Sequence, residues 1–170
     1  MPFRSGKKHF KTFVVKCVCF ILGRGLQAAS RVDADVRREI REWIPEGFTI
    51  LFKVWPEGPR LGLESRGGML RFRGTSLDDA DLVIYFKNID NAFMMFTAQM
   101  GVPQAFAEHR IFVKGDISVS MSLIRCLNIV ETHLFPPIIY RRILRRPPSM
   151  GLKKQFCRLY IYLVGIPIGI

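Results

Sequence analysis

Apolar positions recur every three to four residues near both ends of the chain and every second residue between them. Thr12 to Ser30 reads as a helix with apolar side chains on most faces. Asp33 is placed to cap a second helix, in which "DADVRREIREWI" puts Val36, Ile40 and Trp43/Ile44 on one face. Pro45 and Gly47 end it. The period then becomes two. "FTILFKVW" alternates Phe48, Ile50, Phe52 and Val54, and "RLGLES" and "MLRFRG" flank Arg66-Gly67-Gly68 as a hairpin would. In the second of these strands Leu70 and Phe72 face inward, Arg71 and Arg73 outward. "DLVIYFK" is apolar on both faces, as a covered strand is. "NIDNAFMMFTAQM" returns to helix, with Asp90 as its expected cap and Met100 as its end. A short helix follows at "VPQAFAEH", then the strand "RIFVKGD". "ISVSMSLIRCLNIVETHLF" reads as a strand passing into a helix, and "IIYRRILRR" as a short basic amphipathic helix. This order is α+β.

The charge is uneven. The formal net charge is +12 over 170 residues. Residues 1–32 carry +7 with no acid, residues 33–116 carry −2, and residues 117–170 carry +7 with Glu131 the lone acid. The chain therefore divides into a basic apolar helix (1–32), a near-neutral domain (33–135) and a basic apolar extension (136–170). Basic and apolar together favour an anionic membrane surface. Nucleic acid is the rival partner, but the aromatics sit in apolar runs rather than between bases, "RFRG" being the small exception, so none is expected.

Residues 7–29 imitate a secretory signal, yet Lys16 interrupts the apolar run and Gln27 stands where a small residue is wanted, so no cleavage is expected. That run reads as too short to span a bilayer, and "LYIYLVGIPIGI" (159–170) as half a span. The tail reads either as a lid or membrane-inserted segment, or as an element packed on the core.

Catalytic vocabulary is thin. There is no GxSxG, and Ser118, Ser120 and Ser122 have no His and carboxylate at a suggestive spacing. Asp78, Asp79 and Asp81 in "SLDDAD" read as a solvated turn before a metal loop. Glu108-His109 reads as a surface pair. Neither phosphate-loop pattern occurs. Cys17, Cys19, Cys126 and Cys157 have no CxxC spacing and read as small buried apolar residues, which suits a reducing compartment. No enzyme activity, metal or cofactor is expected.

"ADLVIYFKNIDNAFMMF" followed by "QAFAEHRIFVKGDISVSMSL" resembles the sterol-carrier-protein type 2 lipid-binding domain. The shared pattern is a strand running into a helix, a short helix, a strand ending in a Gly-Asp turn (here Gly115-Asp116), and an apolar segment after it. Glu108-His109 depart from it, standing where a small or Gly residue followed by a basic one is usual. The likeness covers about residues 33–135 and is sharpest over 80–127. The long helix after the turn is similar to a bacterial subgroup that assists ubiquinone assembly.

The resemblance implies a five-stranded, mainly antiparallel sheet covered on one face by helices that enclose an apolar tunnel. It implies a lipid carrier holding a sterol, acyl lipid or isoprenoid quinone, or an accessory factor presenting quinone intermediates to a biosynthetic enzyme complex. The expected lining is Phe93, Met94, Phe96, Met100, Phe106, Phe112, Ile117, Met121, Leu123 and Leu127. Arg141, Arg142, Arg145, Arg146, Lys153 and Lys154 are the expected membrane contacts, on a cytoplasmic protein bound peripherally to the membrane. Phe93 to Phe96 are apolar around most of a helix, so their surplus surface lines a cavity or is covered by the terminal segments.

Overall fold

The structure is a computed structural model that describes residues 5–97, 99–134, 157 and 159–168. The elements run α1 (Ser5–Val32), α2 (Ala34–Trp43), β1 (Thr49–Val54), β2 (Arg60–Arg66), β3 (Met69–Gly74), β4 (Leu82–Phe86), α3 (Ile89–Phe96), α4 (Val102–Ala107), β5 (Ile111–Lys114) and α5 (Ile117–Leu134). A π-helical turn at Ile161–Gly165 continues into Ile166–Ile168. The expected α+β class and five-stranded sheet are what the chain forms.

The strands lie in the order β3-β2-β1-β4-β5. β1–β2, β2–β3 and β4–β5 pair antiparallel, and β1–β4 pairs parallel, so the sheet is mixed. Register decides which side chains share a face. Ile50 lies opposite Leu63 and Leu82, Phe52 opposite Leu61 and Ile84, and Ile84 opposite Val113. These residues, with Val54, Leu70 and Phe86, join the buried faces of α1, α2 and α5 in one core. The other sheet face presents Tyr85 beside Phe112.

α1 belongs to that core. Val15, Cys19, Leu22, Leu26, Ala28 and Ala29 are buried against it, and each large one contributes about 1.5–3 kcal/mol of burial. The sequence boundary at residue 32 is therefore no break in packing. The expectation of too short an apolar run also needs correction: Lys8–Val32 is a helix long and apolar enough to cross a membrane by length and composition, with half of its most apolar window buried inside the fold.

Two helices differ from expectation. α3 starts two residues earlier than expected, because Asn88 rather than Asp90 caps it, its side-chain oxygen accepting from the Asn91 amide at 2.9 Å, and it ends at Phe96, four residues short of Met100. The amides of Gln99 and Met100 then both turn back to the Met94 carbonyl. α5 is helical from Ile117, with no initial strand. The alternating serines suggested a period of two, but the Ser120 hydroxyl donates back to the Ile117 carbonyl at 2.7 Å. The Ser122 hydroxyl donates to the Glu39 carbonyl on α2 at 3.2 Å.

The C-terminal turn packs on the core. Ile161 is fully buried, and the Tyr162 hydroxyl donates to the Leu134 carbonyl. Leu159 and Leu163 remain exposed.

Candidate apolar ligand site

Four consecutive residues on a helix step through about 300° around its axis. Phe93, Met94, Met95 and Phe96 occupy such a run on α3, so no single surface can bury them all. Each is only partly buried, packed against the core on one side. Two contacts seat the helix. The Phe96 ring meets the Phe86 ring of β4 at 5.2 Å between centroids. From α1, the Lys11 ammonium sits 5.7 Å from the centre of the Phe93 ring and 2.5 Å from the Asp90 carboxylate. Met100 is buried beyond the helix end. The result is an apolar ledge between α1 and β4 with part of its surface open.

The ten residues expected to line a tunnel divide into three sets. Phe93, Met94, Phe96 and Met100 come together at this ledge. Leu123 and Leu127 are buried in the core on α5. Phe106, Phe112, Ile117 and Met121 are exposed, at 41%, 46%, 75% and 48%. Phe112 points to the sheet face away from the core, where it lines an open cleft of about 330 Å³ with Trp55 and Tyr85. The segments on either side of the Gly-Asp turn meet in the core through Ile111, Val119 and Leu123, whereas Phe112 and Ile117 turn outward. The six basic residues expected at a membrane (Arg141, Arg142, Arg145, Arg146, Lys153 and Lys154) lie outside the described residues.

The turn itself is structural. Gly115 holds φ 129°, and a Cβ there would lie 2.4 Å from the Asp81 carbonyl oxygen. The Asp116 carboxylate accepts from the Ser118 and Val119 amides at 2.6 and 3.3 Å, capping α5. The departure at Glu108-His109 falls at a strained turn. His109 takes the left-handed conformation (φ 51°) just past α4, where glycine is favoured, and the Arg110 amide closes the turn on the Ala105 carbonyl.

The acidic groups are likewise engaged. Asp81 accepts from the Thr49 amide and hydroxyl at 2.8 and 2.7 Å, and these bonds lower its pKa. Asp78 pairs with Arg60 at 2.6 Å. No group of metal-ligating side chains forms among the described residues. Of the cysteines, Cys17 is exposed, which corrects the expectation of burial, whereas burial pushes the Cys19 and Cys126 thiols up to about 12.

Two features had no reading in the sequence. Asp33 and His133 form a buried pair at 3.0 Å that joins the start of α2 to the end of α5. A signal existed for Asp33 as a cap, but none for a partner a hundred residues away. The second is a cleft lined by Arg24, Gln27, Arg31, Arg71, Phe72 and Arg73. The signal that could have found its helical half is the spacing of three and four between Arg24, Gln27 and Arg31.

No family model matches the chain. No curated protein matches it in sequence. Among solved structures it is similar to a UbiJ-SCP2 ubiquinone synthesis protein, at 17% identity and a TM-score of 0.47, covering 72% of this chain and 99% of the other. It is also similar to the sterol carrier protein domain 2 of Helicoverpa armigera, at 14% identity and 0.46, covering 63% and 83%. Sterol carrier protein 2 from Yarrowia lipolytica, in its apo form, matches at 15% identity and 0.49, covering 68% and 91%. Each of these is a likeness of fold, at a TM-score below 0.5.

Proposed function

We propose that the protein is a lipid carrier that holds an apolar molecule on the α3 ledge and works at an anionic membrane surface. The observation that carries this reading is the partial exposure of four consecutive large apolar residues, Phe93 to Phe96, on a helix packed into the core. Apolar surface that the fold leaves partly open can be covered by a bound ligand, and a chain of methylenes covering it contributes about 0.8 kcal/mol for each. Binding of that kind needs no catalytic group, and we read the protein as a carrier rather than an enzyme. The sequence resemblance of residues 80–127 supports the same reading.

The membrane part rests on charge and on α1. The net charge is +12. The outer side of α1 exposes Phe10, Phe13, Phe20 and Ile21, with Lys8 and Lys16 on the same helix. Each basic residue near an anionic surface is worth about 1 kcal/mol. A cytoplasmic protein bound peripherally fits these features. The similarity of the helix after the Gly-Asp turn to a ubiquinone-assembly subgroup favours a second reading, in which the cargo is a quinone intermediate presented to biosynthetic enzymes.

Organic extraction of the purified protein followed by mass spectrometry tests the proposal. A stoichiometric apolar lipid is expected, and its identity separates the two readings. Absence of any lipid, with no thermal stabilisation by added quinone, sterol or fatty acid, rejects both.

A further inference from the structure

α1 runs alongside β3, the edge strand of the sheet, and supplies the partners its open side lacks. The Gln27 side-chain oxygen accepts from the Phe72 amide at 2.8 Å. The Ser30 hydroxyl oxygen accepts from the Leu70 amide at 3.2 Å. This pairing fixes the helix against the strand and sets two short rows of arginine facing one space. Arg24 and Arg31 lie two turns apart on α1, with Gln27 between them on the same side. Arg71 and Arg73 alternate along β3. Together they line a cleft of about 330 Å³.

The cleft has more positive charge than the protein neutralises. Glu64 is the one carboxylate that pairs there among the described residues, 3.3 Å from Arg73. Among the described residues Arg24 Nε and Arg31 Nη1 are buried with no hydrogen-bond acceptor, and a buried donor left unmade is costly, more so on a charged group. The Arg24 guanidinium is held in place by the rings of Phe20 and Phe72, at 5.5 and 5.7 Å. Guanidinium groups grip phosphate oxygens in pairs. Four of them against one carboxylate suit an oxyanion with more than one negative charge.

We propose that Arg24, Arg31, Arg71 and Arg73 form a binding site for a phosphate group, carried by a small anion or by a lipid headgroup. The site is separate from the α3 ledge, so it stands or falls independently of the carrier reading. A nucleic-acid backbone fits less well. The basic groups converge on one cleft instead of tracking along a surface, and the neighbouring Phe72 ring packs on the core rather than offering a face to a base.

The test is calorimetric titration of the full chain with inorganic pyrophosphate and, separately, with a single-stranded RNA, alongside sedimentation with phosphatidylcholine vesicles with and without phosphatidylglycerol. The proteins are wild type, Arg31→Gln with Arg71→Gln, Arg71→Gln alone, and Arg66→Gln, an exposed arginine outside the cleft, as a charge control. Arg71 is exposed on the edge strand, so its single variant keeps the test valid if the double variant fails to fold. Each cleft substitution is expected to weaken binding at least about tenfold, and Arg66→Gln to leave it unchanged. Loss in the pyrophosphate titration identifies a soluble anion, and loss only with phosphatidylglycerol vesicles identifies a headgroup. The proposal is overturned by equal losses in the cleft and control variants, by no loss in either arm, or by a single-stranded RNA whose binding alone depends on these arginines.

Discussion

His109 shows how a single residue reveals local geometry. At φ 51° it occupies a conformation that costs a non-glycine residue about 1 kcal/mol or more. His109→Gly is therefore expected to stabilise the fold by about 1 kcal/mol in urea denaturation, with an unchanged m-value. An unchanged or lower midpoint would contradict the strain. Two carboxylates give opposite pH signatures. Burial raises Asp33, but hydrogen bonds from His133 and from the Asp35 and Val36 amides outweigh it and leave its pKa below the ordinary value. Its contribution is present above pH 3.8 and is lost as pH falls further. Glu131 goes the other way: burial pushes it up from 4.5 to about 7. Its protonated form is the one folding favours, so that contribution is complete below pH 4.5 and is lost as pH rises through about 7. Glu131→Gln is expected to raise stability at pH 8 by on the order of 2 kcal/mol and to flatten the melting temperature between pH 5 and 8. A variant with the wild-type pH profile would show that Glu131 ionises freely.

At the scale of elements, the chain's own chemistry explains what was legible. The Gly67-Gly68 hairpin was readable because a two-residue turn demands positive φ at both positions, and both have it, at 64° and 65°. Asp33 was readable as a cap because its carboxylate bonds within three residues. The start of α5 was not, since alternating serines look like a strand until their hydroxyls are assigned to Ile117 and Glu39. The apolar segments around the Gly-Asp turn suggested one enclosed lining, but periodicity gives a face without saying what covers it. Only the register of Tyr85 with Phe112 shows that Phe112 looks away from the core. Asp116→Ala removes the cap of α5 and is expected to cost about 1 kcal/mol, while Asp116→Asn retains most of it. Equal losses in both variants would assign Asp116 a role beyond capping.

Across the whole molecule, α1 links the parts that composition separated. Its charge marks residues 1–32 as distinct from the near-neutral middle, yet its inner side completes the core and its polar side chains close the β3 edge. Deleting residues 1–32 is therefore expected to abolish cooperative thermal unfolding followed by circular dichroism. A truncated protein with a sharp transition would make α1 an appendage. With α1 in place, one side of it meets the sheet and the other exposes apolar and basic groups, while α3 beside it offers the ledge.

The most direct measurement of carrier function is photolabelling of the full chain with a diazirine-bearing fatty acid, followed by peptide mapping. The expected label falls on residues 89–100, is displaced by unlabelled lipid, and drops when Phe93→Ser and Phe96→Ser are combined. Label confined to the outer side of α1 or to the Trp55–Phe112 cleft, or spread without displacement, would contradict a carrier built on α3.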